Sequence, residues 1–201
     1  MVEALKTCDY IFLAADSHRA RLLFNGIVHQ YLIPGVQLGS RIQSDAATGA
    51  VDHVHTVIRW LLPHTGCLTC NEAINTARLQ EESITGSMLK RQRYVDAPDV
   101  PAPSVITLDA TTAAQAANDF LFSATGLATP TAFNGYVRAH PSTRRIEMLQ
   151  SRKGADCPEC SSSGESRFGR GDQAVRPGQR RGAYGARTLT AAMQKCARRG
   201  S

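Results

Sequence analysis

The residues best equipped for chemistry are two cysteine pairs at Cys-x-x-Cys spacing: Cys67 and Cys70 in "HTGCLTC", and Cys157 and Cys160 in "DCPEC". One such pair alone fits a redox couple, part of a disulfide framework or half of a metal site. Two pairs from distant parts of a chain supply the four thiolates of a tetrahedral ion, and a closed four-sulfur site of that kind is structural rather than catalytic. A thioredoxin-like motif would stand once, between a strand and a helix, whereas the first pair here follows Pro63 and a turn-like His-Thr-Gly. Zinc is therefore the expected ion. Residues 71–156 are far too long an interval for a zinc finger or ribbon, so a larger fold must bring the knuckles together. Cys8 and Cys196 have no partner at metal spacing; Cys8 is expected as a small buried hydrophobe and Cys196 as a tail residue.

Composition frames this reading. A chain of 201 residues, 42% hydrophobic, can build one core, or one domain and a tail. No apolar run approaches the ~20 residues that span a bilayer, and "MVEALKTCDYIFLAAD" lacks a secretory signal's basic start and cleavage site. The expected setting is cytoplasmic, away from membranes, where stable disulfides are rare. Charge divides the chain: residues 161–201 hold nine Lys/Arg against two acids, while residues 1–160 hold 14 against 15. This Gly-, Ser- and Arg-rich tail buries too little apolar surface to offset the entropy of ordering, so disorder is expected. Arg/Gly runs can track phosphates, but Phe168 and Tyr184 give little stacking, and a solvated tail is preferred over a nucleic-acid arm.

The elements that must position these residues lie in 1–160. "DYIFLAAD" is a short apolar run ending at an acid. It is followed by "SHRARLLFNGIVHQYLI", where Ala20, Leu23, Phe24, Ile27, Val28 and Tyr31 recur at helical spacing. Ser17 can cap this helix, and Pro34 with Gly35 ends it before "VQLGSRI", a second strand. A strand, helix, strand unit with buried-type strands implies parallel pairing and a right-handed crossover. Asp16 then stands at a carboxyl strand end, the edge where open α/β sheets bind ligands, and can meet a metal-bound phosphate or a ribose. Arg21 and Asn25 lie one helical turn apart, on a face expected to point away from the apolar stripe. A turn acid and two solvated polar residues is the competing reading of the same three positions.

Farther on, "GAVDHVHTVIRWLL" alternates like a strand extending the sheet, with His53 and His55 read as strand-face residues rather than ligands. "CNEAINTARLQEES" reads as a short helix, and "ITLDATTAAQAANDFLFSATGL" as a longer one closed by Gly126. Between them "GSMLKRQRYVDAPDVPAPS" is a polar, Pro-rich crossing loop. "FNGYVRAHPSTRRIEMLQSRKGADCPEC" reads as a hairpin around "HPST" that delivers the second knuckle.

Taken in order, "CDYIFLAADSHRARLLFN", "PGVQLGSRI", "GCLTC", "PSVITLDATTAAQAANDFLFSATGL" and "DCPEC" resemble the ThiF/MoeB/HesA family of ubiquitin-activating-enzyme-like adenylyltransferases. The resemblance covers residues 1 to about 160, and the ordered pair of knuckles is its most specific part. It implies a Rossmann-like domain that binds ATP and Mg2+ and adenylates the C-terminal carboxylate of a ubiquitin-like or sulfur-carrier protein, usually as a homodimer. Under it, Asp16 matches the aspartate that contacts ATP and its metal, and is the catalytic candidate. Arg21 and Asn25 match further nucleotide-site residues, and Cys67, Cys70, Cys157 and Cys160 match the zinc ligands. The family's Gly-rich loop and phosphate-holding basic residues have no counterpart in this sequence, and residues 71–156 contain no cysteine for a thioester.

The expectation is thus a partial Rossmann-like, ThiF-type α/β sheet with flanking helices over 1–160, a four-cysteine zinc knuckle, and a disordered basic tail over 161–201. The expected activity stops at an acyl-adenylate and is incomplete in the isolated chain. The alternative is a zinc-stapled, non-catalytic module that binds protein or nucleic acid.

Overall fold

The computed structural model describes residues 2–45, 47–83 and 105–175. Five strands form one mixed sheet in the order β1 (Ile11–Leu13), β2 (Gly35–Ser44), β3 (Val51–Leu61), β4 (Gly135–His140) and β5 (Arg145–Gln150). Only β1 and β2 pair in parallel, joined by helix α2 (His18–Tyr31) as their crossover; the other three pairings are antiparallel. A four-residue helix α1 (Val2–Leu5) precedes β1, α3 (Thr76–Ser83) follows the first knuckle, and α4 (Ile106–Ala124) precedes β4. The architecture is an α/β sheet with flanking helices, as expected, with the expected parallel pairing confined to β1 and β2 and the rest of the sheet antiparallel.

Local chemistry explains the boundaries. Ser17 caps α2 by accepting the Ala20 N–H at 3.1 Å. The helix ends where Leu32 turns left-handed (φ 58°) and Pro34 removes a donor. Gly35 must be glycine-sized, because a Cβ there would lie 2.5 Å from the Ile11 carbonyl oxygen and 2.8 Å from the Phe24 ring. Gly126, just past α4, takes a positive φ of 72° as a helix-closing glycine.

The sheet is packed on both faces. On one, Phe24, Ile27 and Val28 of α2 bury against Ile11, Ile33, Leu61, Leu68 and Ala73. On the other, Ala116 of α4 packs with Val36, Leu38, Ile58 and Trp60. Ile27 and Val28 are completely buried, each worth roughly 1.5–3 kcal/mol by transfer from water. This first core also includes Leu68 of the knuckle, so the cysteine loop is part of the interior.

Two expectations change. Residues 161–175, assigned by composition to a disordered tail, are ordered against α2. Gln30 donates to the Gly171 carbonyl at 2.6 Å, Arg167 donates to Gln30 Oε1 at 2.8 Å, and Gly169 N–H donates to the His29 carbonyl at 2.8 Å. Lys6 and Tyr31 both reach Asp172, at 2.7 and 3.0 Å. Composition missed this because the segment is held by polar contacts to a preformed helix and not by apolar burial. Cys8 is exposed rather than buried. The crossing loop at 86–104, the tail beyond Val175 and Cys196 lie outside the described residues. Among the described residues no helix is long and apolar enough to cross a membrane.

Candidate functional site

The four predicted sulfurs converge. The Sγ atoms of Cys67, Cys70, Cys157 and Cys160 all lie within 4.8 Å of one another, with Cys67–Cys157 and Cys70–Cys160 each at 3.6 Å. Tetrahedral zinc with Zn–S bonds of about 2.3 Å sets its sulfurs about 3.8 Å apart. A disulfide needs about 2.0 Å, so no pair here is bonded. The donor set and spacing therefore fit a metal ion.

Second contacts fix the cluster. The Cys70 N–H donates to Cys67 Sγ at 3.4 Å, and Gly154 N–H to Cys70 Sγ at 3.3 Å. Asn71 ties the knuckles: its amide donates to the Cys67 and Arg152 carbonyls at 2.8 and 3.0 Å and accepts the Arg152 N–H at 2.8 Å. Gly66 passes so close to the Arg152 carbonyl that no Cβ fits between them. The Cys160 thiol beside it holds Cys67 down at about 4, and that thiolate in turn pushes Cys160 up. The pair divides one proton between two sulfurs; a cation at the centre favours the thiolate at every position.

Asn25 belongs to this cluster. It is fully buried, and its Oδ1 accepts the Leu68 N–H at 2.8 Å, inside the first knuckle. Arg21 is half-buried and donates from Nη1 to the Ala73 carbonyl at 3.2 Å. The expected solvent-facing polar stripe on α2 is thus corrected: both residues turn inward to loop backbone, because the loop after β3 crosses that helix face. Arg21 is also under the electrostatic influence of Asp16 and Glu82, though burial is the larger effect and lowers its pKa.

Asp16 is exposed, three residues beyond the carboxyl end of β1. The adjacent N-terminus of α2 is occupied from within the chain: Glu82 of α3 accepts the His18 and Arg19 N–H groups, both at 2.8 Å. His18 Nδ1 in turn accepts the Asn75 N–H at 3.0 Å, closing a latch between α2 and α3. Sequence reasoning missed Glu82, which lies 64 positions from its partner His18. It also passed over Arg59, whose signal was a lone charge inside the apolar run "VIRWLL". Arg59 donates to Gln37 Oε1 at 2.7 Å and lies over the Tyr136 ring at 5.2 Å. His53 and His55 stand on a strand face, outside the sulfur cluster.

No protein-family model and no curated protein sequence matches the chain. Solved structures do share its fold. Escherichia coli MccB with AMPCPP and selenomethionine MccA matches with a TM-score of 0.53 at 14% identity, over 80% of this chain and 43% of that one. MccB with MccA-N7isoASN gives 0.52 at 15% identity, over 81% and 44%, and MccB with succinimide gives 0.51 at 15%, over 81% and 43%. At 14–15% identity these matches show that the sheet and its knuckles adopt a fold shared with those structures. MccB is the particular protein through which that likeness is seen, and this chain spans less than half of its length.

Proposed function

We propose that this chain is part of an ATP-dependent adenylyltransferase that activates the C-terminal carboxylate of a ubiquitin-like, sulfur-carrier or related polypeptide. The observation that carries the reading is the placement of Asp16 at the carboxyl edge of a parallel strand, in a fold shared with a protein solved together with AMPCPP and MccA. In the reaction, a carboxylate oxygen attacks the α-phosphorus of ATP, an acyl–phosphate bond forms, and pyrophosphate leaves with its bridging electrons. Such a step depends on positioning and charge neutralisation rather than a protein nucleophile. Asp16 would hold Mg2+ at the phosphates and Arg21 would balance charge beside it. Asn25, being buried on Leu68, would act through the knuckle rather than touch nucleotide. Zinc on the four cysteines would be structural, and a homodimer of the chain belongs to the same reading. Because phosphate-holding residues of the family have no counterpart here, turnover is assigned to the chain only together with a complementary nucleotide-binding segment.

The test is magnesium-dependent binding of ATP to the full chain, followed by calorimetry. Binding that Asp16→Ala abolishes, with metal content and fold unchanged, supports the reading. Absence of binding, or binding indifferent to Asp16, refutes it.

A further inference from the structure

A second group of charges lies on the α2 face of the sheet and serves neither the sulfurs nor Asp16. Strand register sets Arg41, His55, His140 and Arg145 in a row across β2 to β5, with the His55 and His140 rings 6.0 Å apart. The next row holds Val57, Arg138 and Glu147, and the one after it Gln37, Arg59 and Tyr136. Glu147 is the one acid in these rows, and it is already engaged by Arg145 at 3.1 Å and His140 at 3.7 Å. Arg59 and Arg138 each keep a buried Nε without a hydrogen-bond partner. A desolvated guanidinium nitrogen lacking an acceptor is costly, and planar forks of this kind match carboxylates.

Like charges also crowd there. Burial chiefly, and then Arg21 and Arg138, bring Arg59 down to about 10 despite the opposing influence of Tyr136. The row of Arg59 and Gln37 continues through the register to Leu13, at the end of β1 that leads to Asp16. The basic rows therefore run up to the proposed reaction edge.

We infer that this face docks an acidic polypeptide segment, Arg59 and Arg138 each receiving a carboxylate. The inference rests on the proposed adenylation only in taking the polypeptide to be the one whose C-terminus reaches Asp16. A single-stranded nucleic acid fits less well, because stacking needs free aromatic faces and the Tyr136 ring is already covered by Arg59. His55 is held below its ordinary value by burial, then by Arg138, His140, Arg41 and Arg59. An arriving anion favours its protonated form, so affinity should increase as pH falls toward that value.

The experiment uses the full 201-residue chain and a fluorescein-labelled (Glu-Ala)5 peptide, followed by anisotropy at low salt without ATP. Saturable binding is expected, absent for (Gln-Ala)5. Arg59→Gln and Arg138→Gln should each weaken it about tenfold, the loss of one charge-assisted contact. Arg78→Gln, which removes the same charge from α3, should leave it within about twofold. Metal content and Trp60 fluorescence report whether each variant is folded, and Arg138→Gln serves if Arg59→Gln is not. Equal binding by wild type and folded variants overturns the inference, because the basic tail would then be the attractor. So does a ten-nucleotide oligothymidylate whose binding depends on Arg59 and Arg138 more than the peptide's does. Peptide binding without any ATP binding would keep the docking face and remove the adenylation reading. Asp16-dependent ATP binding without peptide binding would do the reverse.

Discussion

The side chain of Asn25, in the middle of α2, accepts the backbone N–H of Leu68, between the first two cysteines, at 2.8 Å. Helix and knuckle are thereby one unit, and the cysteine loop inherits its position from the crossover helix that begins at the Asp16 edge.

Asn25→Ala removes the acceptor for a buried N–H. It should destabilise the fold by about 1–3 kcal/mol, and metal retention should fall with it. Denaturant unfolding monitored at Trp60, with zinc released to a chromogenic chelator, checks both. Asn25→Asp, which keeps an acceptor oxygen, should lose less metal than Asn25→Ala.

The sulfur cluster predicts about one equivalent of zinc per chain in freshly purified protein. Cys157→Ser or a strong chelator should lower the melting temperature sharply, since an ion on these sulfurs would hold Cys67 and Cys157 together across 90 positions. Elemental analysis and calorimetry measure the two effects.

His29 is completely buried, and neither ring nitrogen closes a hydrogen bond, although the Pro63 carbonyl and Cys67 act on it electrostatically. Burial lowers its pKa from 6.5 to about 4. A depressed histidine binds fewer protons folded than unfolded. Its contribution is complete above about 6.5 and is lost progressively as pH falls toward 4, by roughly 3 kcal/mol. His29→Leu should flatten this dependence, leaving the parts due to thiolate and carboxylate protonation. Stability measured between pH 4 and 7 in both proteins isolates the difference.

Glu82 caps α2 from α3. Burial tends to raise its pKa, but the His18 and Arg19 N–H donors outweigh that and hold it below its ordinary value. Glu82→Ala should therefore cost about 1 kcal/mol at neutral pH, and the contribution of Glu82 should disappear as pH falls through the carboxylate range. Hydrogen exchange at His18 and Arg19 should accelerate in the variant, whereas amides of β3 should not change.

Much of this molecule was readable from residue order. The paired cysteines announced their own convergence, because Cys-x-x-Cys spacing is the spacing of metal-ligand thiolates. Ser17 announced the start of α2, because a cap is a local interaction. The hairpin at "HPST" needed only turn chemistry. What stayed hidden was long-range. Asn25 resembles a surface residue until Leu68 crosses over it, and Glu82 resembles a solvated acid until α3 swings to the start of α2. The ordering of 161–175 depends on Gln30, Tyr31 and Lys6 waiting on other elements. Composition cannot register such partners.

The sulfur centre also bears on how the chain is made. Cys67 and Cys70 are synthesised directly after α2 and β3, yet their partners Cys157 and Cys160 follow only 90 residues later. Until then the nascent polypeptide carries two unmatched thiols against an unfinished interior. Delivery of the ion late in translation would thus act as the closing event of maturation, and zinc-starved cells should accumulate the protein as protease-sensitive, half-finished chains.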